Sequence, residues 1–458
     1  MSDLDKVLAH IDADFDNAID RLFQTVRLKS ISTDPAYAGE TRACAEWHSA
    51  DLAAIGFQSG LRDTPGHPIV LAKDHSAKGT KVLFYGHYDV QPADPLELWT
   101  DAPFDPVIVT LPDGSKEIRG RGASDDKGQL MTFVEACRAW KAVTGKLPVP
   151  VTILLEGEEE SGGANLPGFL DAAKDELAAD VAMICDTNMW DKATPAITTS
   201  LRGLCAEEIF IHAADRDLHS GFYGSAAANP NHILARIIAD LRDADGRITL
   251  PGFYDGVPDL PQSLRDSWAK LDFSESAFLG EVGLSVPAGE KGRSVLEQTW
   301  SRPTCEVNGM TGGYTGDGFK TVIPAVASAK ISFRLVFDQD PHKIRAAFRA
   351  FVKARVPADC QVEFTEFGSG RAVAFEVSSA VFQKTQGALS DEWGVEAAFV
   401  GGGGSIPVTT MIKEKLGMDV VMAGFGLSDD RIHSPNEKYS LTSFHKGIRS
   451  WARVLAAL

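Results

Sequence analysis

At 458 residues the chain is longer than one hydrophobic core normally supports, so two domains are expected. Its 45 basic and 63 acidic side chains leave a net charge of −18, which repels a phosphate backbone or an anionic membrane and argues against nucleic acid as a partner. A composition 44% hydrophobic and 24% charged is that of an ordinary globular protein with ample core.

The N-terminal Met1-Ser2-Asp3-Leu4-Asp5-Lys6 lacks a basic region followed by an apolar one, and no apolar run is long enough to cross a bilayer. A cytoplasmic protein with no membrane partner is expected. The six cysteines, Cys44, Cys137, Cys185, Cys205, Cys305 and Cys360, form no Cys-x-x-Cys pair and read as buried reduced thiols.

Val7, Leu8, Ile11, Phe15, Ile19, Leu22, Phe23 and Val26 recur at steps of three and four, predicting one amphipathic helix. A second helix is expected from Glu40 to Ala54, then short buried strands at Ile69-Val70-Leu71 and Lys81 to Tyr85. The alternation continues with a strand at Val151 to Leu155, a helical stretch near Leu166 to Leu177 and a strand at Asp180 to Ile184, the pattern of an α/β sheet.

From about Thr199 the texture changes. Polar and apolar residues alternate at Cys205 to Ile211 and Ala329 to Leu335, and an amphipathic helix carries Ile233, Leu234, Ile237, Ile238 and Leu241. An irregular stretch from Pro251 to Val307, a helix from Pro341 to Arg355 and a strand at Gln361 to Phe364 complete a second, α+β unit. After Gly368-Ser369-Gly370 the α/β texture returns, with a helix near Val381 to Trp393, a strand at Val420 to Ala423 and a helix from Ser443 to Leu458. The expected division is 1–198, 199–370 inserted, and 371–458 completing the first domain.

Gly120-Arg121-Gly122-Ala123-Ser124-Asp125-Asp126-Lys127-Gly128 leads glycine-rich backbone into paired carboxylates and then the apolar run Leu130 to Cys137. A carboxylate at the mouth of a helix can offer one oxygen to each of two cations; equally, Ser124, Asp125 or Asp126 would serve as an N-cap. His87 and Asp89, Glu158-Glu159-Glu160, Asp186 and His433 all follow predicted strands, at the carboxyl ends where open α/β sheets place ligand sites. Taken singly, each has another reading: a hydrogen-bonded turn, a solvated acidic loop, a helix cap, a turn residue. Jointly they point to a metal site.

Motifs in order from His87 to Lys438 carry a resemblance: His87-Tyr88-Asp89-Val90-Gln91-Pro92, Gly120-Arg121-Gly122-x-x-Asp125-Asp126-Lys127-Gly128, Glu156-Gly157-x-Glu159-Glu160-Ser161-Gly162, Asp186, Asp217-Leu218-His219-Ser220-Gly221, Lys320 to Pro324, Gly404-Ser405-Ile406-Pro407-Val408 and His433-Ser434-x-Asn436-Glu437-Lys438. This set resembles the co-catalytic zinc peptidases of family M-twenty, in particular its cytosolic nonspecific and carnosine dipeptidases. The resemblance implies a zinc-peptidase-like catalytic domain with a central mixed sheet flanked by helices, and an inserted α+β domain serving as lid and dimerisation surface.

By position, the resemblance implies that Asp125 bridges two divalent cations per subunit, zinc foremost and manganese the alternative. His87 and Asp186 would complete one site, and Glu160 and His433 the other, a donor set suited to either metal. Asp89 would orient His87 through its other ring nitrogen. A cis peptide is implied between Asp125 and Asp126.

Anchoring the glutamate run on Ser161-Gly162 makes Glu159 the general base and Glu160 a ligand, with Glu158 spare; a shift by one residue is the competing assignment. His219, lent across a homodimer interface, is implied to stabilise the oxyanion, and Thr321, Arg334, Ser405 and His219 to bind substrate. Where related dipeptidases carry Arg-Glu this chain has Gly401-Gly402, which leaves side-chain preference open. The implied reaction is hydrolysis of a dipeptide, or a similar short amide with a free carboxylate, by water activated between two metals. The same scaffold also serves N-acyl amino acid deacylation and carboxypeptidase action. A non-catalytic binding protein would lack a ligand or the base, and none is missing here.

Overall fold

The computed structural model describes residues 1–404 and 406–458. The chain forms two compact units, one of Met1–Thr199, Phe375–Val400 and Met411–Leu458, the other of Ser200–Ala374 with Gly401–Thr410. Residues 401–410, expected within the 371–458 segment, group with the second unit. Arg202 explains this locally: its backbone N–H donates to Gly404 O at 3.1 Å and its Nε to Gly403 O at 3.0 Å.

The first unit is built on a mixed sheet whose strands lie in the order Gln58–Arg62, Ile69–Asp74, Val151–Glu156, Val82–His87, Val181–Ile184, Val420–Met422 and Ala196–Leu201. Val82–His87 runs parallel to both of its neighbours, and Val420–Met422 runs parallel to Val181–Ile184. Every residue of these four central strands is buried. That burial on both faces explains their continuous apolar sequences.

Helices flank the sheet. The Phe84 ring of a central strand stacks on Phe133 of the Lys127–Thr144 helix at 3.9 Å, and Trp451 of the C-terminal Leu441–Ala457 helix meets Phe133 edge-on at 5.4 Å. Truncating a ring such as Phe133 in that cluster would cost about 3–5 kcal/mol.

The expected single N-terminal helix is two, Asp3–Ala13 and Phe15–Val26. Asp14 breaks it, adopting a non-helical ψ of 7° while its carboxylate accepts from Asn17 Nδ2 and from Arg21 Nη2 at 2.8 Å. Apolar periodicity runs through the break because both helices bury the same stripe.

The second unit has an antiparallel four-stranded sheet in the order Thr304–Gly312, Val326–Leu335, Gly203–His212, Gln361–Gly370. One face carries Cys205, Ile209, Ile211, Ile331 and Phe333 into a core shared with Leu234 and Ile237 of the Pro230–Ala239 helix and Phe348 and Val352 of the Pro341–Lys353 helix. The strand Gly203–His212 alternates buried and half-buried residues throughout, so its other face is not covered in the same way. A separate ribbon pairs Leu218 with Ile323 and His219 with Val322. The irregular stretch expected from Pro251 contains short helices at Gln262–Ala269, Glu275–Gly280 and Val295–Trp300.

Candidate metal centre

Parallel central strands bring their carboxyl ends to one edge, and the expected ligands sit there. His87 ends its strand, Asp186 lies just past Val181–Ile184, and Glu159 and Glu160 form a 3-10 turn past Val151–Glu156. His433 lies in the loop between Val420–Met422 and Lys438–Ser440, at a left-handed φ of 59°. Asp125 lies one residue ahead of Asp126, the N-cap of the Lys127–Thr144 helix, and the Asp125–Asp126 peptide is cis.

Glycine shapes this corner. Gly122 has a φ of 81°, and a Cβ on Gly128 would lie 1.8 Å from Ala123 O. The loop can therefore fold back onto the first turn of the helix, which a side chain would prevent.

Asp125 turns its two oxygens in different directions. Oδ1 lies 3.2 Å from His87 Nε2, while Oδ2 lies 3.0 Å from His433 Nε2. His87 Nε2 is also 3.9 Å from Asp186 Oδ2, and His433 Nε2 is 3.2 Å from Glu160 Oε2. Two donor groups result, His87–Asp125–Asp186 and Asp125–Glu160–His433, each with one ligand atom per residue and all such atoms within 4.8 Å of one another. Asp125 belongs to both.

The electrostatics of this corner favour bound positive charge. Burial opposes a charged His87, but the neighbouring Asp125 and Asp89 carboxylates win and raise its pKa well above the ordinary imidazole value. Hydrogen bonds to Asp125 and Glu160 raise His433 to about 10. Burial, reinforced by the Asp125 charge, raises Asp186 to about 7. Carboxylates crowded out of water need a cation, and here they draw protons onto the imidazoles. The buried Nε2 of His87 has no hydrogen-bond partner among the described residues. An orphaned imidazole nitrogen among carboxylate oxygens is a donor set that fits zinc or manganese.

Around these groups lies a frame of hydrogen bonds. His87 Nδ1 is 3.1 Å from Asp89 O and 3.4 Å from Asp89 Oδ1, which leaves Nε2 to face Asp125. Asp89 in turn accepts from the Ser32 hydroxyl at 2.6 Å and from Glu160 N–H at 3.0 Å. Gln91 Nε2 donates to Glu160 Oε2 at 2.8 Å.

Glu437, quoted within a motif but given no role by sequence reasoning, is fully buried. It accepts from Arg121 Nη1 at 2.7 Å and from the backbone N–H groups of Gly122, Ser124 and Asp125 at 2.9, 2.9 and 3.0 Å. Asp430 accepts from the Ser124 hydroxyl at 2.9 Å. These carboxylates tie the loop carrying His433 to the loop carrying Asp125. Their sequence signal was an acidic residue close to a histidine, which says nothing of what lies opposite.

The glutamates separate by environment. Glu158 accepts from His67 N–H at 3.1 Å and from Asn165 Nδ2 at 2.8 Å, pinning a neighbouring turn. Glu160 faces His433. The Glu159 carboxylate carries no hydrogen bond among the described residues, and burial first, with the Glu160 and Asp89 charges adding to it, raises its pKa. It is the uncommitted carboxylate of the three.

The remaining expected residues lie in the second unit. His219 and Thr321 are exposed and come together on the ribbon, where Ser220 N–H donates to Thr321 O at 3.1 Å. Gly221 N–H donates to His219 Nδ1 at 3.0 Å. A nitrogen that accepts carries no proton in the neutral ring, so Nε2 bears the N–H and points outward as a donor. Arg334 lies half-buried on the central Val326–Leu335 strand. Ser405 lies outside the described residues.

Residues 83–457 match the description Peptidase family M20/M25/M40. The chain is 30% identical to the Cys-Gly metallodipeptidase dug1 of Schizosaccharomyces pombe, covering 97% of this chain and 96% of that protein. It is 28% identical to the Beta-Ala-His dipeptidase of Homo sapiens, over 98% and 91% of the two. Among solved structures, the M20 family metallo-carboxypeptidase Sso-CP2 from Sulfolobus solfataricus superposes with a TM-score of 0.78 at 30% identity, covering 96% of this chain and 98% of that one. The chain belongs to Peptidase family M20/M25/M40.

Proposed function

We propose that the protein is a cytoplasmic, homodimeric metallopeptidase that hydrolyses dipeptides, or short amides of the same shape, bearing a free carboxylate. The single observation that carries this reading is the shared Asp125, with one oxygen toward His87 and the other toward His433. Family membership and similarity to two dipeptidases support the reaction class. Six free thiols agree with a reducing compartment, and no helix among the described residues is long and apolar enough to cross a membrane.

His87, Asp125 and Asp186 would hold one divalent cation and Asp125, Glu160 and His433 the other; bound there, zinc or manganese would supply Lewis acidity to the scissile carbonyl and acidify the attacking water. Glu159 takes the proton of that water and returns it to the leaving amine, a task suited to an uncommitted carboxylate of raised pKa. Asp89 keeps His87 oriented. His219, lent by the second copy, presents its Nε2–H to the oxyanion. Thr321, Arg334 and Ser405 hold the substrate carboxylate, Arg334 through its planar fork.

The test combines elemental analysis of dialysed protein with a substrate panel of Cys-Gly, β-Ala-His, N-acetyl amino acids and longer peptides. Cation-dependent cleavage of dipeptides is expected. Absence of bound cation, or cleavage of acyl amino acids alone, would overturn the reading. Stepwise removal of C-terminal residues from longer peptides would instead favour carboxypeptidase action, which similarity to the Sulfolobus enzyme keeps as the second reading.

A further inference from the structure

Most arginines of the second unit sit against carboxylates, as Arg242 does against Glu306 at 2.9 Å and Arg302 against Glu290 at 2.9 Å. The Arg334 side chain has no ion pair or hydrogen bond among the described residues, and Arg202 donates only to carbonyls there. Yet these two occupy one face of one sheet. Arg334 pairs directly with Leu204 across the antiparallel ladder, and the next pair is Leu335 with Gly203. Side chains directly opposite share a face, and diagonal neighbours lie about 7–8 Å apart, within reach of long side chains. Arg202 precedes buried Gly203 and continues the half-buried phase of Leu204, so it lies on the same uncovered face as Arg334.

Burial first, and the Arg334 charge in the same sense, lower the pKa of Arg202 to about 10. The acidic group felt at Arg202 is Glu306, which is already paired with Arg242. Like charges held together without a counter-charge, in a chain of net charge −18, mark a place built for an anion.

Arg202 also shapes the backbone beside it. Its N–H, Nε and Nη1 donate to Gly404 O at 3.1 Å, Gly403 O at 3.0 Å and Gln298 O at 3.5 Å. A Cβ on Gly403 would lie 3.3 Å from Arg202 Nη2, and a Cβ on Gly401 would lie 2.5 Å from Trp300 Cβ. The glycine run is thus fitted closely between the guanidinium and the Val295–Trp300 helix.

We propose that Arg202 is a positioning residue for recognition of the substrate's C-terminal carboxylate: it fixes the Gly403-Gly404 backbone and places a second positive charge beside Arg334, making a free carboxylate a requirement for tight binding. This inference rests on the dipeptidase reading and assigns a residue that the reading leaves out.

The experiment compares a dipeptide with its C-terminal amide, measuring kcat and KM for the metal-loaded wild type, Arg202→Ala and Arg202→Lys. Calorimetric binding of the free amino acid product provides a readout without turnover. For Arg202→Ala, KM for the dipeptide should rise on the order of 10- to 100-fold with a smaller change in kcat, while KM for the amide barely moves. Arg202→Lys keeps the charge but not the fork, so it should recover part of the dipeptide KM; if the alanine variant does not fold, the lysine variant carries the same comparison. Equal losses on acid and amide would assign Arg202 a purely structural role and overturn the proposal. So would a wild type that cleaves both equally well. A wild type that cleaves neither would instead overturn the dipeptidase reading.

Discussion

The strand-end corner of the first unit and the ribbon of the second hold their functional candidates in opposite ways. His87, Asp125 and Glu160 are buried or half-buried, and each is braced: Asp89 behind His87, Glu437 behind Asp125, Gln91 behind Glu160. His219 and Thr321 are exposed, held mainly by the two-residue ladder and by local bonds such as Gly221 N–H to His219 Nδ1. A metal centre must be complete before substrate arrives, because crowded carboxylates are tolerable only when fixed around a cation. A group that meets charge appearing only in the transition state can wait in solvent until that charge forms.

The sharpest way to break this comparison is within the braced corner. Glu159→Gln should lower turnover about 100- to 10,000-fold while leaving cation content near that of wild type, because the amide cannot take a proton yet removes no ligand. Glu160→Gln should lose cation as well. Elemental analysis alongside kinetics checks both, and the reverse pattern would move the register of the run by one residue. Asp125→Ala should deplete both cations together, and retention of one in full after dialysis would contradict a shared ligand.

On the exposed side, His219→Ala should lower kcat about 100- to 1000-fold with cation content unchanged. Mixing it with Glu159→Gln, each strongly impaired alone, and exchanging subunits should raise activity above that of either variant if His219 serves the other copy. No recovery in demonstrated mixed dimers would place His219 in its own subunit's reaction or outside it.

A smaller effect should separate bracing from ligation. Glu437→Gln keeps the shape of the clamp but loses its charge against Arg121 and three backbone N–H groups. Cation affinity should weaken about 10- to 100-fold, as for other groups behind metal ligands. Titration of metal-free protein with zinc measures it, and unchanged affinity would leave Glu437 a purely structural role.

Much of this was legible because its signals are local. Strand–helix alternation depends on runs of a few residues, so the predicted strands at Lys81 to Tyr85 and Val151 to Leu155 fall within a residue or two of Val82–His87 and Val151–Glu156. Donors just past strand ends necessarily share an edge once the strands are parallel, which is why the sequence alone groups His87, Asp186 and Glu160. The break at Asp14 was not legible, because apolar spacing is blind to a carboxylate that finds Arg21 seven residues on.

The sequence alone determined the chemistry on offer and its order: imidazoles and carboxylates at strand ends, a glycine-lined turn before Asp125, a second unit of different texture. Only the tertiary structure decided how like residues divide their work. Glu158, Glu159 and Glu160 are identical in type and adjacent in the chain; what distinguishes them is that Asn165 meets the first, His433 meets the third, and no described residue hydrogen-bonds the carboxylate of the second. Glu437 and Arg202 gain their significance from Asp125 and Gly403, residues hundreds of positions away, and no short-range pattern encodes such a meeting because the energy that fixes it comes from burial of the whole core.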